Sequence, residues 1–174
     1  SSQNLTLMSS RVKKVNFQEE IIFEQMLITD NINREDLIII DRQVMDKISK
    51  TKMDLLALKQ KDGIEYQFCV LEVKLGNNQE LEGKVIQQLD GYVDRINNNF
   101  YDYKNCYERN FIQKIELGLI DMPVNIKIVK SVLGVVVVGG YSGLARQSIK
   151  KLKNENPKIN VIQLSNRLNL NKLK

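Results

Sequence analysis

The most constraining feature of this sequence is an apolar strand that carries its own acid and base. Phe68-Cys69-Val70-Leu71-Glu72-Val73-Lys74-Leu75 is hydrophobic apart from Glu72 and Lys74. Successive side chains of an extended chain leave by opposite faces, so Glu72 and Lys74 emerge on one side and Val73 on the other. Charges at the end of such a strand are expensive to bury unless they are paired or bind something. Met53 to Lys59 reads as an antiparallel partner, Lys61-Asp62-Gly63 as the turn and Glu65 to Leu75 as the returning strand. On the partner, Asp54 interrupts Met53-Asp54-Leu55-Leu56-Ala57-Leu58 in the same fashion.

The rest of the chain supplies elements that cover such a hairpin. Phe17 to about Asp30 is expected as a helix, and the continuous run Leu37-Ile38-Ile39-Ile40 as a buried strand. After the breaker Gly76-Asn77-Asn78 a helix is predicted from about Gln79 to Asn97. Its apolar residues Val85, Ile86, Leu89, Tyr92, Val93 and Ile96 form one helical stripe. A further helix is expected over Tyr103 to Leu117. Val132 to Val138 reads as a buried strand closed by Gly139-Gly140, followed by a helix capped by Ser142 and a last strand from Lys158 to Leu164. Strand, helix, strand at that spacing implies a parallel pair. The 174 residues suit one domain. The expectation is a single α/β domain over 17–174, behind a polar segment 1–16. Its central mixed β-sheet combines an antiparallel hairpin with a parallel pair and is flanked by helices, with a helical insertion near 94–129.

Composition narrows the chemistry. Histidine is absent, which excludes Ser-His-Asp and Cys-His mechanisms, His-ligated zinc and nucleases with a His general base. No run approaches the roughly 18 apolar residues of a membrane span, so no membrane partner is expected. The start has no charged region followed by an apolar stretch, so no signal peptide is read. Two cysteines, Cys69 and Cys106, then read as reduced thiols of a cytoplasmic protein. The net charge of +5, from 26 basic against 21 acidic residues, permits a polyanionic partner without requiring one.

Two carboxylates and one ammonium at neighbouring strand ends suit a hard divalent cation, Mg2+ or Mn2+, because magnesium takes oxygen ligands and keeps several waters. Such an ion lowers the pKa of a bound water and neutralises charge on a phosphate oxygen. A lysine beside it orients the water or stabilises developing negative charge. Glu-x-Lys is a weak signal by itself, and Glu82-Gly83-Lys84 repeats it. Only the Glu72 copy lies in an apolar strand with a second acid on its neighbour. The bland alternative is a salt-bridged pair at a sheet edge.

The stretches Leu37-Ile-Ile-Ile-Asp-Arg-Gln-Val44, Met53-Asp-Leu-Leu-Ala-Leu58, Val70-Leu-Glu-Val-Lys-Leu75 and Gln88-Leu-Asp-Gly-Tyr92 together resemble the PD-(D/E)XK, or restriction-endonuclease-like, nuclease superfamily. Within it they are most similar to the catalytic domain of NucS-type endonucleases. The resemblance covers Phe17 to Tyr92 well and Val132 to Leu164 more loosely. It implies an Mg2+-dependent endonuclease acting on nucleic acid, with DNA as the favoured substrate and a homodimer where two strands are cut. Asp54, Glu72 and Lys74 would form the catalytic core, with the Val73 carbonyl as a further metal ligand. Glu20 would be the acid of the first helix, while Gln88 and Tyr92 would match the glutamine and tyrosine of the helix after the core. Arg42, Lys50 and Lys52 would contact nucleic acid.

Each assignment has a plainer counterpart. Glu20 shares a helical face with Glu24, and surface acids are the usual outcome. Gln88 and Tyr92 lie on one face of their helix, where Gln88 serves equally as a solvated boundary residue. Arg42 is equally able to bond a neighbouring carboxylate, and lysines in a loop are usually just hydrated. Met53 stands where the superfamily often has proline. Tyr101, Tyr103 and Tyr107, with Lys104 and Arg109, would stack on unpaired bases, although aromatic residues in a helix more often pack. NucS-type enzymes carry a separate DNA-binding domain, which 16 polar residues cannot replace, so their substrate preference does not transfer. The rival reading is a catalytically inactive nucleic-acid-binding or interaction module on the same fold; a basic scaffold is a weaker third.

Overall fold

The computed structural model describes residues 19–45, 51–119, 126–140, 143–164 and 170. Residues 19–30 are helical (α1). β1 (Leu37–Met45), β2 (Lys52–Asp62) and β3 (Glu65–Leu75) follow, then a 3-10 turn at Gln79–Glu82, α2 (Lys84–Asn98), α3 (Phe100–Glu116), β4 (Lys127–Gly139), α4 (Gly143–Glu155) and β5 (Asn160–Leu164). The five strands form one sheet in the order β1-β2-β3-β4-β5. The β1–β2 and β2–β3 pairs are antiparallel, whereas β3–β4 and β4–β5 are parallel. Short connections serve the antiparallel neighbours, and helical crossovers serve the parallel ones. The chain is thus one α/β domain built on a mixed sheet, as its patterning predicts. The polar segment 1–16, Lys50 with its neighbour Lys47, and the capping residue Ser142 lie outside the described residues.

The alternation along the strands divides the core in two. Leu55, Ala57, Cys69, Leu71, Val73, Val135 and Val137 pack on one face with Phe23 and Leu27 of α1. Leu56, Leu58, Phe68, Val70, Val136 and Val138 pack on the other face with α2, α3 and α4. At Gly139 a Cβ would lie 2.8 Å from the Phe23 ring, so a bare backbone there is what lets α1 approach the sheet.

The stripe of α2 is buried at Val85, Leu89, Tyr92 and Ile96. The described residues of the segment 94–129 include the end of α2, the whole of α3 and the first residues of β4. Phe100, Tyr107 and Phe111 of α3 are buried. Phe68 meets Phe100, Tyr103 and Tyr107 edge-on, with ring centroids 6.1, 6.2 and 5.9 Å away, a favoured geometry for aromatic pairs. Tyr103 and Tyr107 therefore belong to the core packing and not to an open stacking platform. Tyr101 alone of the three remains 68% exposed. No helix among the described residues is long and apolar enough to cross a membrane.

Candidate active site

The site forms where β2 and β3 part. Their main-chain pairing runs from Asp62↔Glu65 to Leu55↔Leu71. One residue further, an Oδ2 of Asp54 accepts the Val73 N–H at 2.8 Å, so a side-chain carboxylate replaces a ladder carbonyl. On its other flank β3 stays paired with β4 through Lys74↔Val138 and Leu75↔Gly139. The strand that carries Glu72 and Lys74 is thereby held on one edge and open on the other.

Glu72 and Lys74 do share a face, and Val73 packs on the opposite one. The Lys74 ammonium lies 2.8 Å from Glu72 Oε1, 3.4 Å from Glu80 Oε2 and 3.7 Å from Asp54 Oδ2. Glu80 is set by the 3-10 turn: Asn78 Oδ1 accepts the Glu80 N–H at 2.9 Å, and Lys84 holds its other oxygen at 2.7 Å. The same Asn78 donates through Nδ2 to Glu20 Oε1 at 2.7 Å, and the Leu75 N–H donates to that oxygen at 3.0 Å. The α1 acid is thus tied to the end of β3.

Burial makes these charges uneven. Glu72 and Lys74 are 2% and 6% exposed. Burial, with the nearby Asp54 charge, pushes the Glu72 carboxyl up to about 8, against the pull of Lys74. Asp54 is raised chiefly by burial, while Lys74 and the Val73 N–H pull the other way. Burial alone would lower Lys74, but the Glu72 and Asp54 carboxylates outweigh it and hold the ammonium protonated well above its ordinary range. For Glu80 burial is outweighed by Lys84 and Lys74, and its carboxyl is lowered. The second Glu72 oxygen, Oε2, is buried without a hydrogen-bond partner among the described residues. Two buried carboxylates thus share one cation, and among the described residues nothing donates to one of their oxygens.

Among the described residues no three acidic, cysteine or histidine side chains gather into a ready metal cluster. A site for an ion that retains its waters needs fewer: one or two carboxylates suffice for magnesium. Asp54, Glu72 and the unpartnered Oε2 fit that donor set, with Glu20 standing slightly apart on Leu75 and Asn78.

The remaining predicted residues separate. Gln88 has a buried Oε1 without a hydrogen-bond partner among the described residues, one helical turn before Tyr92. The Tyr92 hydroxyl donates to the Lys52 carbonyl at 2.8 Å and so pins the start of β2, two residues before Asp54. Its phenol is raised by burial and then by the Glu72 and Asp54 charges, which places it within electrostatic reach of the site. The Lys52 side chain is exposed. Arg42 turns towards α1, donating to Gln25 Oε1 at 2.9 Å with Glu24 at 3.7 Å.

Sequence reasoning passed over Glu80 and Asn78. The available signal was an Asn two residues ahead of an acid at a chain reversal, a turn-capping pattern. It also left Glu24 as a mere neighbour of Glu20. Glu24 is buried, bound through both oxygens by Gln43 Nε2 at 2.8 and 2.6 Å, and pushed up to about 7 by burial and then by Asp54. Gln43 reaches it from a positive φ of 54°.

Comparison with known protein families, curated proteins and solved structures finds no match to the chain.

Proposed function

We propose that this chain is a metal-dependent nuclease of the PD-(D/E)XK type, hydrolysing phosphodiester bonds in nucleic acid, with DNA as the favoured substrate. The observation that carries the reading is the convergence of Asp54, Glu72 and Lys74 at the point where β2 and β3 part. Asp54 and Glu72 would hold Mg2+ or Mn2+ with the Val73 carbonyl, and Glu20 would reach the ion through a water. When bound, the cation supplies a water of lowered pKa and neutralises charge on a phosphate oxygen.

The chain's own groups do the rest. Lys74 Nζ orients the attacking water and donates to the phosphate oxygen as negative charge develops there. With Glu72 given over to holding the ion, Glu80 Oε2, 3.4 Å from Lys74 Nζ, would be the carboxylate left to pair with the ammonium. The Gln88 Oε1 accepts from the water or from Lys74 Nζ. Tyr92 holds the start of β2, and through it the position of Asp54. Cutting both strands of a duplex would use two copies of the chain. The free thiols Cys69 and Cys106 accord with a reducing compartment, the cytoplasm.

The test is cleavage of plasmid and of single- and double-stranded oligonucleotides in Mg2+ or Mn2+, with EDTA as control. Lys74→Ala and Asp54→Asn are each expected to reduce the rate by on the order of 100-fold or more while the far-ultraviolet circular dichroism stays unchanged. Cleavage that both variants retain would sink the reading. Salt-sensitive binding without any metal-dependent cleavage would make the chain an inactive nucleic-acid-binding module instead.

A further inference from the structure

The net charge of the chain is only +5, yet it is far from evenly spread. Between Gly143 and Lys158 stand Arg146, Lys150, Lys151, Lys153 and Lys158, against Glu155 alone. One helix and the turn after it therefore carry a net charge of +4. α4 buries Ala145, Ile149 and Leu152, which leaves the cations on its outer surface, where Lys150, Lys151, Lys153 and Lys158 are all exposed. Among the described residues none of these four lysines forms an ion pair, whereas Lys74, Lys84, Lys104 and Lys127 each meet a carboxylate. Gln147, Lys150, Lys151, Asn154 and Glu155 together line a shallow depression, in which two amide donors join the ammonium groups and one carboxylate opposes them.

Position gives the patch its meaning. α4 packs on the sheet face that bears Glu72 and Lys74, through Ile149 and Leu152. Its first turn is pressed against the end of β3: a Cβ on Gly76 would lie 2.4 Å from Ala145 Cβ. From Lys150 to Lys158 the cations recede from that end. At about 1.5 Å of rise per helical residue, Arg146 to Lys153 spans roughly 10 Å, the rise of about three nucleotides of one strand.

We propose that the outer face of α4, with Lys150, Lys151, Lys153 and Lys158 at its centre, is a docking surface for a nucleic-acid phosphate backbone, which it leads towards Lys74. This rests on the nuclease reading for its choice of polyanion. The surface is electrostatic, without base-specific contacts, and supplies affinity and register in place of sequence selection.

The experiment is fluorescence anisotropy of labelled single- and double-stranded oligonucleotides with the full chain in EDTA, across 50 to 200 mM salt. It compares the parent with the triple variant Lys150→Ala, Lys151→Ala, Lys153→Ala and with a control, Lys61→Ala, Lys127→Ala, Lys130→Ala, that removes the same charge elsewhere. Each phosphate contact contributes about 0.9 to the slope of log affinity against log salt for duplex DNA. The α4 variant is expected to lose roughly 2 to 3 from that slope. The control should lose less than about 1, and a Lys→Arg triple on α4 should keep the parent's slope. An unchanged slope in the α4 variant, or an equal loss in the control, overturns the proposal, as does binding to phosphatidylserine vesicles in place of oligonucleotides. If the parent cleaves in Mg2+ but the α4 slope is unchanged, only the docking surface falls. A lost slope without any metal-dependent cleavage leaves the surface standing and removes the nuclease.

Discussion

Glu24→Gln offers a quantitative check of the electrostatics around the site. Glu24 is 3% exposed, and its carboxyl is pushed from an ordinary 4.5 up to about 7 by burial, then by Asp54 and Glu20, against Gln43 and Arg42. Between pH 4.5 and 7 the folded chain therefore holds a proton there that the unfolded chain has released. Stability falls as pH rises wherever the folded state binds more protons, so this residue destabilises the fold progressively across that window and by a constant amount above it. At about 1.4 kcal/mol per pH unit the full effect is on the order of 3 kcal/mol. Arg42 beside it is 38% exposed, and screening by that nearby water reduces the expectation to roughly 1–2 kcal/mol. Glutamine keeps the shape and removes the titration. It forfeits part of the bonding to Gln43 and Arg42, a pH-independent loss of about 1 kcal/mol. The assay is urea unfolding in EDTA at four pH values from 4.5 to 7.5, followed by far-ultraviolet circular dichroism because the chain has no tryptophan. The stability of the variant relative to the parent is expected to improve by roughly 1–2 kcal/mol across that range. A difference that stays flat, or worsens with rising pH, would refute the reasoning.

Two further outcomes follow from the same geometry. Mg2+ at about 100 times its dissociation constant should stabilise the parent by about 2.7 kcal/mol, or roughly 5–10 °C in thermal unfolding. Glu72→Gln should abolish the increment, and equal increments in the two proteins would remove Glu72 from the ligands. Gly76→Ala, whose Cβ would meet Ala145 at 2.4 Å, should cost about 1–3 kcal/mol by forcing α4 outward. Gly91→Ala in α2, with nothing within 4 Å, should instead gain about 1 kcal/mol, so similar melting temperatures for the two variants would refute this packing.

The sheet was legible wherever burial dictated composition. Leu37-Ile-Ile-Ile40, Leu55 to Leu58 and Val135 to Val138 are apolar because they are enclosed, and α2 announces itself by its stripe. The elements run longer than their apolar centres. β1 continues through Asp41 and Arg42 to Met45, and β4 begins at Lys127, because partner strands satisfy the backbone there while polar side chains face outward. The pair Glu72 and Lys74 was readable from the two-residue period alone, as was its possible company with Asp54 across the hairpin. Glu80 was not readable in that way. It lies in a polar stretch without periodicity, and only the cap made by Asn78 turns it towards Lys74. The partners of Arg42 and Glu24 were hidden for a related reason: a bulge between Ile39 and Asp41 and the positive φ of Gln43 re-aim side chains in ways that no alternation predicts.

The order of the strands has a consequence for biosynthesis. β3 gains one neighbour at once, through a tight hairpin, but its other, β4, only after α2 and α3 have been made. Long-range parallel pairing is slow because a large loop must close first. A nascent chain that has just emerged through Leu75 therefore presents its acids on a ribbon with one raw edge, lacking the support of Val138 and Gly139. Whatever chemistry depended on this geometry would have to wait until β4 had been made and had paired with β3.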